Sequence, residues 1–369
     1  MMQKWVYKRL DEACRIDFGT RVVQKKDGGS TYDVYGGGGA TFKIDRYNRE
    51  DCFIVSRFAM SPKCTRYVKG KFFLNDSGLS VSSNSPSLAQ DFVDCFLLAN
   101  NDKIYAMGKG AAQRNLDMAS FRKMSIPVPP LDEQQRIVAE LDLLTGIIDK
   151  QIAQLKELDS LAQSIFYDMF GDPIENEKDW DVKTIKDIGK VVTGNTPSRQ
   201  IKEYYDKPYI EWIKSDNLSN DTMYASEARE YLSELGMSKA RVLPKGTTLV
   251  TCIAGSLSTI GTASLVDRNV SFNQQINAII PNKKLVSSVF VLHSIRRMGE
   301  IIRSHATNGM KHIITKAVFE KLPFILPPLA LQQKFADKIQ SIEKQKAAIN
   351  QSIADTQKLL DYTMDKYFG

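Results

Sequence analysis

The sequence predicts an α+β chain: two globular α/β blocks separated by two long helices that pair as an antiparallel coiled coil, with a pseudo-twofold repeat. Three observations lead there. One segment occurs twice, in the same order and 198 residues apart. Phe121, Lys123, Pro129-Pro130-Leu131 and Gln134-Gln135 are matched by Phe319, Lys321, Pro327-Pro328-Leu329 and Gln332-Gln333. Both copies run on without insertion or deletion to a Phe-Gly pair, Phe170-Gly171 and Phe368-Gly369. A fixed period is the mark of a structural repeat. The second observation is a sustained helical periodicity after each Pro-Pro-Leu. The third is a shared opening: Trp5, Lys8, Leu10, Ile16 and Gly19 align with Trp180, Lys183, Ile185, Val191 and Gly194 at a constant offset of 175.

The segments that follow are a first block at 1–130, a helix at 131–171, a second block at 172–328 and a last helix at 329–369. Because the offset rises from 175 to 198, the second block has gained 23 residues internally. Related folds with divergent middles imply one kind of task directed at different targets.

In the first helix, apolar or small residues fall at Ile137, Leu141, Leu144, Ile148, Ile152, Leu155, Leu158, Ala162, Ile165 and Met169. All steps are three or four, between a straight helix and a heptad seam. In the second, Phe335, Ile339, Ile342, Ile349, Ile353, Leu360 and Tyr367 keep a strict heptad register, with Lys346, Thr356 and Thr363 at the remaining seam positions. Proline belongs before or at a helix start, and a glycine ends one, as at Gly171-Asp172-Pro173. Each arm of about 40 residues spans roughly 60 Å. Each helix could simply cover its own block; matched length, matched register and two separate blocks favour a shared coil, which would act as a ruler. Its expected interface is Leu141, Leu144, Ile148, Leu155 and Ile165 against Ile339, Ile342, Ile349, Ile353 and Leu360.

Composition limits the class. A hydrophobic fraction of 43% with 25% charged residues is that of a folded soluble protein. No apolar run approaches the ~18 residues of a membrane span, and Met1-Met2-Gln3-Lys4-Trp5 is too polar to begin a signal peptide. Five cysteines, at 14, 52, 64, 95 and 252, make no CxxC pair, which disfavours a disulfide framework or structural zinc and suits the cytoplasm. The net charge of +7 is uneven: the four segments carry +7, −5, +4 and +1 in chain order. Positive charge on two modules suits a polyanion binder, although +4 in the second block is also that of ordinary surface lysine.

The first block reads as short strands and turns: Tyr32-Asp33-Val34-Tyr35, then Gly36 to Gly39, then Cys52-Phe53-Ile54-Val55. The glycine run permits close backbone approach to a ligand or a mobile turn. It lacks the spacing and following helix of a dinucleotide loop. Arg57, Lys63, Arg66, Lys69 and Lys71 are interleaved with Phe58, Tyr67, Phe72 and Phe73, which suits phosphates beside an apolar sheet or a strand with one solvated face. In the second block Thr193-Gly194-Asn195-Thr196-Pro197 is a polar turn. Strand-like Tyr209–Asp216 reaches polar residues, Leu243-Pro244-Lys245-Gly246-Thr247 starts another strand, and Asn273-Gln274-Gln275 closes a third. Asn and Gln pair with adenine, Arg and Lys with guanine, yet all are common loop residues. A polar segment precedes each Pro-Pro pair: Gly110-Ala111-Ala112-Gln113-Arg114-Asn115 and Asn308-Gly309-Met310-Lys311-His312.

Candidate contacts to double-stranded DNA are therefore Arg21, Lys25, Tyr35, Arg57, Lys63, Arg66, Gln113, Arg114 and Asn115 in the first block. In the second they are Asn195, Thr196, Lys214, Asn217, Asn273, Gln274, Lys311 and His312. No catalytic or metal-binding set is expected. There is no Asn-Pro-Pro-Tyr-like methylation motif, no GxxxxGK[ST] loop, and His293, His305 and His312 stand in no HExxH setting.

With its repeated Pro-Pro-Leu, Gln-Gln and long-helix unit after two Trp…Gly openings, the chain resembles the specificity subunit of type I restriction–modification enzymes. Tyr35-Gly36-Gly37-Gly38-Gly39, Asn75-Asp76 and Ile126-Pro127-Val128-Pro129-Pro130-Leu131-Asp132-Glu133-Gln134 look like that family's target-recognition domains. So do Thr193-Gly194-Asn195-Thr196-Pro197, Trp212-Ile213, Asn273-Gln274 and Leu326-Pro327-Pro328-Leu329. The resemblance covers essentially the whole chain. It implies a non-catalytic subunit whose two domains each read half of a split DNA sequence at a distance set by the helices. Two methyltransferase subunits, holding S-adenosylmethionine themselves, would dock around the helices, and restriction/translocase subunits would complete the restriction complex. This chain would bind no cofactor and no membrane. Two departures stand out. Ala330-Leu331 replace the acidic Asp132-Glu133, and the lone proline moves, Pro127 aligning with Ile325 and Pro323 with Ser125, so the two junctions are expected to differ in shape.

Two other classes compete. A self-sufficient DNA-modifying enzyme is disfavoured by the missing motifs, and labelled methyl donor with the pure chain separates it. A structural tether binding other proteins is separated by duplex binding that depends on target sequence.

Overall fold

The computed structural model describes residues 5–111 and 113–369, so Met1 to Lys4 and Ala112 lie outside the described residues. The chain forms two compact units, Met1–Ala153 with Asn350–Gly369, and Gln154–Ile349. Each unit holds one block and parts of both long helices.

In the first unit a six-stranded sheet runs Cys14–Phe18, Gly78–Ser83, Arg49–Ser56, Thr65–Leu74, Tyr32–Tyr35 and Ala40–Ile44 in spatial order. Helix α1 (Gln90–Ala99) buries Phe92, Val93, Phe96 and Leu97 against it. Helix α2 (Leu131–Phe170) closes the same core with Ile137 and Leu141. The second unit has two four-stranded sheets. One orders Gly189–Thr193, Ile276–Pro281, Thr248–Thr251 and Ala263–Leu265; the other orders Tyr231–Leu232, Ile210–Ile213, Val270–Phe272 and Val242–Leu243. Helix α3 (Ser288–Arg297) and helix α4 (Leu329–Phe368) cover the core through Phe290, Phe335 and Ile339.

Strand register shows that the blocks are one fold. Ile16 pairs Val81 as Val191 pairs Ile279, and Lys8 pairs Ile126 as Lys183 pairs Phe324. The parallel pairs Tyr35–Leu74 and Ile213–Phe272 correspond too. So do the antiparallel pairs: Ile54–Ser80 matches Leu249–Ala278, and Val55–Leu79 matches Val250–Asn277. The offset between blocks thus climbs from 175 (Ile16, Val191) to 178 (Tyr35, Ile213), 195 (Ile54, Leu249) and 198 (Ser80, Ala278). Of the 23 extra residues, 17 fall between Ile213 and Leu249, where the second block carries the strands Tyr231–Leu232 and Val242–Leu243 and the short helix Glu234–Met237.

The long helices are equal, 40 residues each. In the first unit Tyr367 Oη donates to Glu140 Oε2 (2.9 Å) and Gln151 Nε2 donates to Ser352 Oγ (2.7 Å). In the second, Phe166 packs edge-on to Phe335 and Lys346 Nζ reaches Asp159 at 2.7 Å. Positions rise on one helix as they fall on the other, so the pairing is antiparallel within each unit. Leu141, Leu144, Ile148, Ile339, Ile342 and Leu360 are buried; Leu155, Ile165, Ile349 and Ile353 are half-buried. Within each unit the helices pair both where they cover the block (Glu140–Tyr367, Phe166–Phe335) and beyond it (Gln151–Ser352, Asp159–Lys346). Ile152, which keeps the helical period but is not among the expected interface residues, is 41% exposed, and at that level Gln151 makes the contact to the other helix.

The repeated glutamines have a structural reason. Gln134 is fully buried at the start of α2; its Oε1 accepts from Ala89 N (2.8 Å) while Nε2 donates to Ser87 O (2.8 Å) and Pro129 O (2.7 Å). Gln332 repeats this with Ser287 N, Leu285 O and Pro327 O. Each pins the Pro-Pro turn and a long helix to the loop that starts α1 or α3. The shifted proline is a correction. Ser125–Val128 and Pro323–Ile325 form edge pairs in the same register, and the two proline positions lie two residues apart. Both backbone nitrogens thus face the same way, off the ladder, and the junctions keep one shape.

Candidate nucleic-acid interface

Five turns of the first block are bonded into one cluster. At its base, a Cβ on Gly19 would lie 1.9 Å from Asn75 O, so only glycine lets the end of the first sheet strand approach the 75–78 turn. Thr20 N donates to Leu74 O (3.0 Å) and Asn75 N to Tyr35 O (2.9 Å). The glycine run is held on both sides, with Gly37 N donating to Ser77 Oγ (3.1 Å) and Ser56 Oγ to Gly37 O (2.7 Å). A Cβ on Gly36 would sit 2.1 Å from Ser77 Oγ and one on Gly37 2.0 Å from Phe58 O, so close packing of turns requires these two glycines, while a Cβ on Gly38 or Gly39 would meet no such obstacle. Arg57 N donates to Ser77 O (2.8 Å), Leu116 N to Arg57 O (2.8 Å) and Met60 N to Arg114 O (2.9 Å).

The second block repeats much of this framework. A Cβ on Gly194 would meet Asn273 O at 2.0 Å; Asn195 N donates to Phe272 O (3.1 Å) and Asn273 N to Ile213 O (3.0 Å). Cys252 N donates to Gln275 O (2.8 Å) and Ile314 N to Cys252 O (2.9 Å). Arg57 is thereby equivalent to Cys252, and Arg114 to His312. The framework is shared and the side chains are not.

The sequence candidates sort as follows. Arg57 is half-exposed between two rings, its Cζ 4.5 Å from the centroids of Phe18 and Phe58. Arg114 lies over Tyr105 at 4.6 Å. Lys63 and Arg66 are joined through Arg66 Nη2 to Lys63 O (2.9 Å), Gln113 is exposed, and Asn115 Oδ1 accepts from Ala59 N (3.3 Å). Arg21 is exposed just beyond the Gly19–Thr20 turn. Lys25 sits apart, on the short helix Gln24–Asp27, and Tyr35 supports the cluster from within, edge-on to Phe72. In the second block Thr196 bonds Gln274, both exposed, and Lys311 is exposed beside His312, whose Nδ1 lies 3.2 Å from Thr307 O.

The amides of Asn195, Asn217 and Asn273 are engaged inside the block. They bind Lys239 O and Arg241 N, Lys214 N and Glu227 O, and Gln275, respectively. They brace the loops. Lys214 is also engaged, paired with Glu230, whose other oxygen takes Arg199 at 2.6 Å. Burial pushes the Glu230 carboxyl up, but hydrogen bonds from Lys214 and Arg199 outweigh it and the net direction is down. Similarly the hydrogen bond from Lys109 holds Asp117 down to about 2, which neutralises that lysine on the strand pair that also carries Asn115. Sequence reading missed Phe18 and Tyr105 as seats for Arg57 and Arg114, and Arg199 on Tyr205 and Trp212. No local signal marks such pairs, since the partners come from different segments.

The family model of the type I restriction modification DNA specificity domain matches residues 2–157 and again 177–356. The chain belongs to this family. Among curated specificity subunits, it is 32% identical to that of the type I restriction enzyme MjaIX of Methanocaldococcus jannaschii over 163 residues, 43% of this chain and 37% of that protein. It is 28% identical to the HindI specificity subunit of Haemophilus influenzae over 44% of this chain and 35% of that protein. It is 23% identical to the EcoR124I/EcoR124II specificity subunit of Escherichia coli, over 68% and 65%. The chain spans little more than a third of the length of the first two relatives. The crystal structure of a type I S subunit from M. genitalium shares the fold at a TM-score of 0.59 and 13% identity, covering 99% of this chain and 96% of that one. A chain from a study of complex assembly in a type I R-M system gives 0.60 and 15%, over 99% and 97%.

Proposed function

We propose that this specificity-family chain reads a split, asymmetric DNA target with its two blocks and itself performs no chemistry. The observation that carries the reading is the duplicated turn cluster: one framework, two sets of exposed side chains, on blocks of net charge +7 and +4. In this reading the paired helices set the spacing between half-sites. Two methyltransferase subunits dock around them and bring their own S-adenosylmethionine, and restriction/translocase subunits join for cleavage. The complex works in the cytoplasm; no helix among the described residues is long and apolar enough to cross a membrane. The test is to replace residues 180–325 by the corresponding block of another family member and select bound sequences from random duplexes. One half-site should change and the other remain. A palindromic target, or loss of both halves, would refute independent reading, and methyl transfer by the pure chain would refute the non-catalytic assignment.

A further inference from the structure

We infer that Arg57 and Arg114 read two guanines in the half-site recognised by the first block. This deepens the reading above and rests on it. Both arginines stand on the five-turn cluster, on neighbouring segments joined by Leu116 N to Arg57 O and Met60 N to Arg114 O. Both are half-exposed. Several other basic groups of the block are committed: Lys109 to Asp117, Arg66 to Lys63 O, Arg46 to Asp27. Among the described residues, neither Arg57 nor Arg114 has an acidic partner or a side-chain hydrogen bond; each is held only by aromatic faces, at 4.5 and 4.6 Å.

Contact with the rings restrains the guanidinium and leaves its N–H donors without a partner among the described residues, which lowers the entropy cost of binding. A planar fork of donors matches the O6 and N7 acceptors of guanine in the major groove. A phosphate can take the same fork, and the salt slope and the 7-deazaguanine substitution in the test below separate the two. The second block supplies a contrast on the same framework: Cys252 is buried where Arg57 stands, and His312 replaces Arg114. The second block's ring-seated Arg199 differs in being paired with Glu230.

The test uses the full chain, wild type and with Arg57→Lys or Arg114→Lys, in selections from random duplexes. The half-site that survives exchange of residues 180–325 should contain two guanines. Each lysine variant should lose about 10- to 100-fold of its preference at one of them and keep the rest of the target, the range expected for one bidentate pair. Substituting 7-deazaguanine at those positions removes N7 without touching the protein. Wild-type binding should weaken there by about 10-fold, which guards against a variant that misfolds. A bipartite target without guanine in that half, insensitivity to 7-deazaguanine, or uniform weakening of all sequences with a smaller salt slope would overturn the inference while leaving the split-target reading intact. If the wild-type chain selects no sequence at all, the broader reading fails and takes this one with it.

Discussion

Replacing Gln134 by leucine keeps the side chain's approximate volume and removes three hydrogen bonds in the core of the first unit. The change strands Ala89 N–H, Ser87 C=O and Pro129 C=O, all served by one fully buried amide. A buried polar group without a partner costs about 1–3 kcal/mol. The three share one site and are not additive, and leucine recovers some apolar burial, so a net loss of about 3 kcal/mol is expected. That is a large part of the roughly 5–15 kcal/mol that holds a domain together. Urea unfolding should show an early transition, and hydrogen exchange should locate it: faster exchange in α1 and the first turns of α2, unchanged protection in α3. Gln332→Leu should give the mirror result. Gln135→Leu, at an exposed neighbour, is the control. Equal effects of Gln134→Leu and Gln135→Leu, or unchanged protection in α1, would refute the account of why the repeat carries a glutamine.

Asp94, on α1, is pushed up to about 6 by burial. Its folded pKa exceeds its unfolded one, so its contribution to stability is complete below about pH 4 and is lost as pH rises through about 6. Asp94→Asn should raise stability at pH 8 by up to about 3 kcal/mol, read as a higher melting temperature, and leave pH 4 unchanged; a gain at both would point elsewhere. Gly194→Ala brings a Cβ within 2.0 Å of Asn273 O. It should destabilise the second block by about 1–3 kcal/mol and weaken its half-site only, as read by duplex binding. To shorten the ruler, the heptads to delete are 150–156 and 348–354. Leu141, Leu144, Ile339 and Ile342 belong to the block cores, so deleting 141–147 and 339–345 would damage the folds. Seven residues at about 1.5 Å predict a spacer shorter by roughly three base pairs at about 3.4 Å, or no specific binding if the accompanying twist is not absorbed. Full activity on the original spacing would remove the helices from that role.

Periodicity and repetition are local properties, and whatever depends on them could be read from the residues alone: two related blocks, two helices of equal length, their seam, and the glycines at 19 and 194. A one-residue shift would have turned Leu155 or Ile349, half-buried along the paired helices, by about 100° and out of that stripe, so the pattern admits one register. Gln134 was visible as a repeated letter, but its reason was not, because its partners Ser87 and Ala89 lie 45 or more residues away in sequence. Ile152 fits the helical period and yet faces solvent, since antiparallel pairing selects Gln151 at that level. The recognition surface divides in the same way. Arginine, lysine and amide residues in turns mark where contacts arise. Only packing decides that Asn195, Asn217 and Asn273 spend their amides inside the block, while Arg57 and Arg114 rest on rings with their donors open. Whether a polar group is spent or free depends on neighbours brought together by the fold, and a linear pattern of residue types carries no record of that.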